Sequence, residues 1–294
     1  VADPEEKIRV SVAIPAYNEE LGVEGVVLGI RSALSAAGLR EKDDFEIVVI
    51  DDGSTDDTAA AARRAGARVV SHPVNRGYGR ALATGFAEAR FPWILMIDAD
   101  GSYPPEDAAK LLPFAPRFDM AIGARQGSFF WGSPLKAFLR WVYLRIASFV
   151  AGERIPDANS GLRLFRKDSF DRSMPMLCYG YSMSTTMTLS FLNGGRFVAF
   201  VPVDYRVRKG KSKVRAVRDI LRTLQIMLQV ILYFNPLKFA VCLAAVPAGL
   251  GLLSLFVCGA AHHGPFAGGV VTALAVFLWG CVLESIRLHR PGRT

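Results

Sequence analysis

Asp98-Ala99-Asp100 sets two carboxylates one residue apart at the end of an apolar run, Trp93–Ile97. Two hard oxygen donors so spaced can hold a divalent cation, and a cation held there can neutralise a diphosphate. A solvated turn could carry the same triplet. Its place after an apolar strand and before Gly101-Ser102-Tyr103-Pro104-Pro105 favours a site. Asp51 and Asp52 close a second apolar run, Phe45–Ile50, where a carboxylate can accept hydrogen bonds from a ribose or a base. Thr55 or Asp56 can cap the helix that follows, and both roles can coexist. Asn75-Arg76-Gly77-Tyr78-Gly79-Arg80 is glycine-rich and opens a helix. A dinucleotide fingerprint needs G-x-G-x-x-G directly after the first strand, so a nicotinamide cofactor is excluded. Asp157, ahead of the tight Asn159-Ser160-Gly161 loop, either orients a reacting group or pairs with Arg125 or Arg163.

Positive charge is the second chemical signal. The 294 residues carry a formal net charge of +8. Between Asp204 and Lys238 there are nine Lys/Arg against two Asp, a net of +7 and nearly the whole excess. Such a block suits phosphates, whether of nucleotides, lipid headgroups or nucleic acid. The four cysteines form no C-x-x-C pair, which excludes a zinc site or a disulfide framework. His72 and His289 stand isolated, and Val1–Arg9 has no signal-peptide apolar core.

These residues need a scaffold, and the first ~125 residues supply one by alternating strand and helix patterns. Strands are expected at Val10–Ile14, Phe45–Ile50, Ala67–Val70, Trp93–Ile97 and around Met120–Ile122. Helices are expected at Glu20–Ala37, after Asp56, at Tyr78–Arg90 and after Pro104-Pro105. Fully apolar strands alternating with helices imply a mostly parallel sheet covered on both faces. Polar groups follow three strands: Tyr17-Asn18-Glu19, Asp51-Asp52 and Asp98–Asp100. Ligands of open α/β sheets bind at the carboxyl ends of strands, so one site is expected there.

Beyond this scaffold the chain turns apolar, and mean hydropathy is +0.26 overall. Residues 129–150 are rich in aromatic and aliphatic side chains, with Lys136, Arg140 and Arg145 at roughly helical intervals. That pattern suits a helix lying in a membrane surface. Phe239–Cys258 and Phe266–Leu283 are uncharged runs of 20 and 18 residues, long enough to span a hydrocarbon core. The connector between them lacks Lys and Arg, whereas basic residues flank the outer ends, which places both ends on the cytosolic side. The expected organisation is a catalytic domain over 1–215, a juxtamembrane amphipathic helix over 216–236, a transmembrane hairpin over 237–286 and a basic tail over 287–294. Pro247 is expected to kink the first span.

Taken in order, Ile14-Pro15-Ala16-Tyr17-Asn18-Glu19, Val49-Ile50-Asp51-Asp52-Gly53-Ser54-Thr55-Asp56, Asn75-Arg76-Gly77 and Asp98-Ala99-Asp100 resemble the family 2 glycosyltransferases of the GT-A (Rossmann-like) fold. Gly123-Ala124-Arg125, Asp157–Arg163 and Arg208–Lys213 narrow this to a likeness with the polyprenol-phosphate glycosyltransferases, the dolichol-phosphate mannose synthase group. The resemblance covers about residues 8–220. It implies that Pro15, Tyr17, Glu19 and Asp51 line a nucleoside pocket, with Asp52 and Ala99 on the donor side and Arg80 near the nucleotide. It implies that Asp98 and Asp100 bind Mg²⁺ or Mn²⁺ on the donor diphosphate. It implies that Arg125, with Arg140 or Arg145, holds the lipid phosphate, and that Arg206, Arg208, Lys209, Lys211 and Lys213 form a loop closing over both phosphates. Asp100, Arg125 and Asp157 are the expected catalytic residues. Many members carry Gln where this chain has Ser102, a departure at the expected metal site.

The implied reaction moves one sugar from a GDP- or UDP-linked donor to undecaprenyl or dolichyl phosphate, inverting at the sugar, on the cytosolic face of the inner membrane. A phosphate monoester with a second pKa of about 6 is ionised at neutral pH and already nucleophilic, so no general base is needed. Metal and Arg/Lys clamps suffice to bring the two anions together. The implied partners are a nucleotide-sugar, polyprenyl phosphate and the bilayer, and a second copy could pair through the spans. A processive polysaccharide synthase is excluded, for Q-x-x-R-W is absent. A nucleic-acid binder is disfavoured because the basic block abuts an apolar span. A non-catalytic nucleotide- or lipid-binding scaffold, or another membrane acceptor, remains the alternative.

Overall fold

A computed structural model of the chain describes residues 7–173, 183–206, 225, 227–258 and 264–288. It divides into two units, Val1–Thr223 and Leu224–Thr294. Among the described residues the first unit is built on seven strands: β1 Val10–Ala16, β2 Phe45–Asp51, β3 Arg68–Ser71, β4 Trp93–Met96, β5 Met120–Arg125, β6 Arg163–Arg166 and β7 Val198–Val203. Their order in the sheet is β3-β2-β1-β4-β6-β5-β7. Every neighbouring pair is parallel except those of β6, which runs antiparallel to β4 and β5.

Strand alternation explains why both faces are apolar. Along β2, Phe45, Ile47 and Val49 enter one core while Val48 and Ile50 enter the other. Trp93 and Leu95 of β4 face the first core, and Ile94 and Met96 face the second. Helices α1 Val23–Ala36 and α2 Thr58–Arg64, with a 3₁₀ helix at Pro105–Phe114, close the first core. Helices α3 Tyr78–Glu88, α6 Lys167–Ser173 and α7 Met183–Asn193 close the second. Between them come α4 Ser128–Trp131 and α5 Pro134–Ala151. The five expected strands are present. The segment after Pro104 is a 3₁₀ rather than an α-helix, in keeping with Pro113 inside it, which has no N–H to donate. The sequence pattern marks neither β6 nor β7; β6 is four residues long, bounded by arginines, and completed by its neighbours.

The loops after β1 and β2 lock to each other through side chain-to-backbone hydrogen bonds. Asn18 N–H donates to Ser54 Oγ at 3.0 Å, and Thr55 N–H donates back to Asn18 Oδ1 at 2.8 Å. Glu19 N–H donates to Thr58 Oγ1 at 2.8 Å, and Asp57 N–H to Glu20 Oε2 at 3.2 Å. Backbone donors that a loop would otherwise leave to water are thereby satisfied, and this edge of the sheet is held in one arrangement.

In the second unit, helical residues at 227–234 precede α8 Pro236–Cys258 and α9 Gly264–Leu288. The windows Pro236–Leu253 and Ala267–Ile286 are long and apolar enough to cross a membrane, and only 17% and 6% of each is buried. Small residues let the two helices touch. A methyl group on Gly269 would lie 2.6 Å from Pro247 O and 2.9 Å from Gly251 Cα, and one on Gly280 would overlap Ala240 Cβ. Pro247 sits inside α8 without ending it.

Candidate active site

A cavity of about 390 Å³ opens at the carboxyl ends of β1, β2, β4 and β5. Pro15, Tyr17 and Glu19 line it from β1, Asp52 from β2, and Asp98, Ala99 and Asp100 from β4. Arg125 at the end of β5 and Arg140 on α5 line the same cavity. Five separate chain segments therefore deliver four carboxylates and two guanidiniums to one space.

The Asp98 carboxylate is held from two sides. Tyr78 Oη donates to its Oδ1 at 2.9 Å. Burial first, then the Asp98 charge, raises the Tyr78 pKa well above the ordinary phenol value, so the hydroxyl remains a donor. On the other side Gly161 lies directly against the carboxylate: a Cβ there would come within 2.5 Å of Asp98 Cγ. Asp100 accepts from Ser102 N–H at 2.9 Å through Oδ1, while Ser102 Oγ is buried with no hydrogen-bond partner. Among the described residues no third His, Cys, Asp or Glu joins the pair as a metal cluster. Two carboxylates beside an orphaned hydroxyl fit Mg²⁺ or Mn²⁺, which would complete its shell with phosphate oxygens and water.

Arg125 is fixed in the same cavity by its neighbours. Its Nε and Nη2 donate to Asp157 Oδ2 and Oδ1 at 2.7 and 2.9 Å, and its backbone N–H to Oδ2 at 3.2 Å. Its Cζ lies 5.1 Å from the Phe130 ring centroid and 5.2 Å from that of Tyr205. Arg140 stacks on Phe130 at 4.3 Å. Burial works against the Arg125 charge, but Tyr103, Asp157 and Tyr205 outweigh it and raise the pKa. For Arg140 burial, reinforced by the Arg125 charge, lowers it. With Asp157 taking Nε and Nη2, Nη1 is the edge left for a ligand, and no other hydrogen bond holds it among the described residues.

The Asp157–Gly161 loop is braced from within by Arg163, which is fully buried. Arg163 donates through Nε to Ser160 O at 2.8 Å, through Nη2 to Ala158 O at 3.0 Å and through Nη1 to Thr188 Oγ1 at 2.9 Å. Burial holds its pKa down to about 10, which still leaves it charged at neutral pH. Gly161 N–H donates to Tyr103 Oη at 2.7 Å, and Ser160 Oγ to Gly123 O at 2.6 Å. One loop thus fixes Asp157 under Arg125 and Gly161 under Asp98.

The other expected residues lie as follows. Asp51 is buried beneath the cavity and accepts from Ser54 N–H at 3.0 Å; it is not part of the lining. Arg80 is exposed on α3, outside the lining. Arg206 pairs with Glu106 at 3.0 Å, and its N–H donates to Ser102 O at 2.8 Å, so the basic segment starts beside the Asp98–Asp100 loop. Arg208, Lys209, Lys211 and Lys213 lie outside the described residues. Tyr78, Gly161, Ser184 and Tyr205 line the cavity and were not singled out as site residues from the sequence. Gly161 stood in a quoted motif, but neither tyrosine carries a spacing signal.

Residues 11–173 match the family model described as Glycosyl transferase family 2. The chain is 30% identical over 236 residues to the low-salt glycan biosynthesis hexosyltransferase Agl6 of Haloferax volcanii, covering 77% of this chain and 55% of that protein. It thus spans about half the length of that relative. It is 28% identical over 291 residues to an undecaprenyl-phosphate 4-deoxy-4-formamido-L-arabinose transferase of Klebsiella pneumoniae, covering 95% and 77%. Among solved structures it is similar to glucosyl-3-phosphoglycerate synthase of Mycobacterium tuberculosis in complex with Mn²⁺, UDP-glucose and phosphoglyceric acid. The TM-score is 0.57 at 23% identity, covering 76% and 79% of the two chains. At that identity the likeness shows the fold, which is the GT-A fold expected from the sequence.

Proposed function

The chain belongs to glycosyl transferase family 2, and from that premise we propose that it moves a single sugar from a GDP- or UDP-linked donor to polyprenyl phosphate, giving polyprenyl-phosphate-sugar. One observation carries the reading: a single cavity is lined by the carboxylates Asp98 and Asp100 and by the guanidiniums Arg125 and Arg140. Two anions must meet for this reaction, and a cavity holding a carboxylate pair for a cation and two fixed guanidiniums suits both. The relative named for undecaprenyl phosphate supports the acceptor class.

In this mechanism Asp98 and Asp100 would hold Mg²⁺ or Mn²⁺. When bound, the ion neutralises the donor diphosphate as it leaves. Tyr78 and Gly161 keep Asp98 in place. Tyr17 and Glu19 line the nucleoside end. Arg125, locked by Asp157, presents its Nη1 edge to the acceptor phosphate, and Arg140 lines the same cavity. An acceptor oxygen attacks the anomeric carbon while the carbon–oxygen bond to the diphosphate breaks and its electron pair leaves with the nucleotide. A single in-line displacement inverts the sugar, and the ionised phosphate needs no general base.

The lipid acceptor places this chemistry at a membrane. α5 exposes Leu135, Phe138, Leu139, Trp141 and Phe149 while carrying Lys136, Arg140 and Arg145 and no acid, which suits an interfacial helix. α8 and α9 serve as a membrane hairpin, with the catalytic unit on the cytosolic side by the distribution of Lys and Arg.

The test mixes the detergent-purified chain with undecaprenyl phosphate, Mg²⁺ and a panel of nucleotide-sugars and weighs the lipids by mass spectrometry. A new sugar-phosphate-lipid mass, lost in Asp100→Asn, is expected. Nucleotide binding without product from any donor would refute the acceptor assignment and favour another acceptor or a non-catalytic scaffold.

A further inference from the structure

His72 stands alone in the sequence but not in the fold. It follows β3, and its Nδ1 lies 2.7 Å from Asp52 Oδ1 while its Nε2 lies 2.9 Å from Thr84 Oγ1 on α3. Asp52 is 2% exposed. Its carboxylate also accepts Arg76 N–H on Oδ1 at 3.0 Å and Gly77 N–H on Oδ2 at 2.7 Å. An ionised carboxylate only accepts, so the proton of this contact sits on His72 Nδ1, while Nε2 pairs with the Thr84 hydroxyl. Both ring nitrogens are then engaged, and the ring plane is set by two different elements.

The consequence reaches the cavity through Asp52. Its carboxylate is the anchor on which the Asn75–Gly77 turn is wound, and Asn75, Gly77 and Tyr78 line the cavity. Gly77 has φ +93°, a conformation open to glycine and rare for L side chains, and the two bonds to Asp52 fix the turn in it. Tyr78 follows at once as the first residue of α3, and its hydroxyl reaches Asp98. His72, Asp52, Gly77, Tyr78 and Asp98 thus form one mechanical chain from the outer end of β3 to the carboxylate pair.

We propose that His72 is a positioning residue of the donor side: by fixing the Asp52 carboxylate it holds the 75–78 turn, and through Tyr78 the Asp98 carboxylate, in the geometry that receives a nucleoside diphosphate. This rests on the donor reading given above. It makes Asp52 an internal anchor rather than a carboxylate spent on the ligand alone. Thr84 is the second support, since it sets the His72 ring from the Nε2 side.

The test measures binding of UDP and of GDP, each with Mg²⁺, by titration calorimetry on the full chain, together with KM for undecaprenyl phosphate. His72→Leu removes both ring contacts and is expected to weaken the preferred nucleotide about tenfold, which is ~1.4 kcal/mol, without moving the acceptor KM. His72→Asn keeps an amide N–H for Asp52 and is expected to restore most of the loss; Thr84→Val is expected to weaken binding in the same direction by a smaller factor. A His72→Leu protein that binds nucleotide like wild type overturns the inference, as does one that loses donor and acceptor equally alongside a lowered melting temperature. Wild-type protein that binds neither nucleotide overturns the donor reading and the inference with it.

Discussion

Gly161→Ala is the sharpest perturbation of the site, because one methyl group would act on one carboxylate. The backbone at Gly161 lies outside the left-handed region, so alanine brings no backbone strain of its own. What it brings is a Cβ 2.5 Å from Asp98 Cγ and 2.8 Å from Asp98 Oδ1, closer than the 3.0 Å below which real contacts essentially never fall. The Gly161 side cannot yield easily, because its N–H is bonded to Tyr103 and the preceding carbonyl to Arg163. The carboxylate must therefore retreat, and a misplacement of about 1 Å at a reacting site costs about a hundredfold in rate, or ~2.7 kcal/mol. The move also strains the Tyr78 hydrogen bond. Overpacking of this kind lowers stability by about 1–3 kcal/mol, a drop of several degrees in melting temperature. The assay is kcat/KM against nucleotide-sugar with Mg²⁺ and undecaprenyl phosphate, taken well below the variant's melting temperature. A hundredfold loss while the protein is fully folded is expected; a Gly161→Ala enzyme with wild-type kcat/KM would refute the placement of Asp98 in the chemistry.

Arg125→Lys keeps the charge but loses the two-pronged contact with Asp157 and the flat stack between Phe130 and Tyr205; acceptor KM should rise at least tenfold with donor KM little changed, measured by varying each substrate in turn. Arg163→Met leaves Ser160 O buried without this donor and Ala158 O with only the Thr188 hydroxyl, and should cost about 1–3 kcal/mol, read by urea or thermal unfolding. Burial raises the Asp56 pKa, but hydrogen bonds from Thr58 and Glu20 N–H outweigh it and hold it below 3.8. Its contribution to stability is therefore complete above the unfolded value of about 3.9 and is lost as pH falls through the folded value, so Asp56→Asn should flatten the acid limb of a stability–pH profile.

Much of this molecule is written in local pattern. β1, β2 and β4 follow from runs such as Phe45–Ile50, in which alternate residues serve two cores at once, and an apolar strand ending in Asp-Ala-Asp names the sheet edge and sets two carboxylates on it. The two long apolar helices are equally legible, because the length needed to cross a membrane is one that the sequence either reaches or does not. Side-chain partnership is a different matter. The ambiguous Asp157 resolves onto Arg125, Asp51 turns inward to its own loop, and His72 proves to be joined to Asp52 and Thr84. Phe130 separates Arg125 from Arg140, and Gly161 is small because Asp98 lies upon it. Apart from Asp51, whose partner lies three residues on, none of these follows from spacing, since each joins residues from separate elements whose meeting depends on strand order and on the antiparallel insertion of β6. The sequence determines which chemical groups reach the carboxyl edge of the sheet; packing across that edge decides which of them face a ligand and which hold those that do, because a buried hydrogen-bonding group must find its partner wherever the fold has put one.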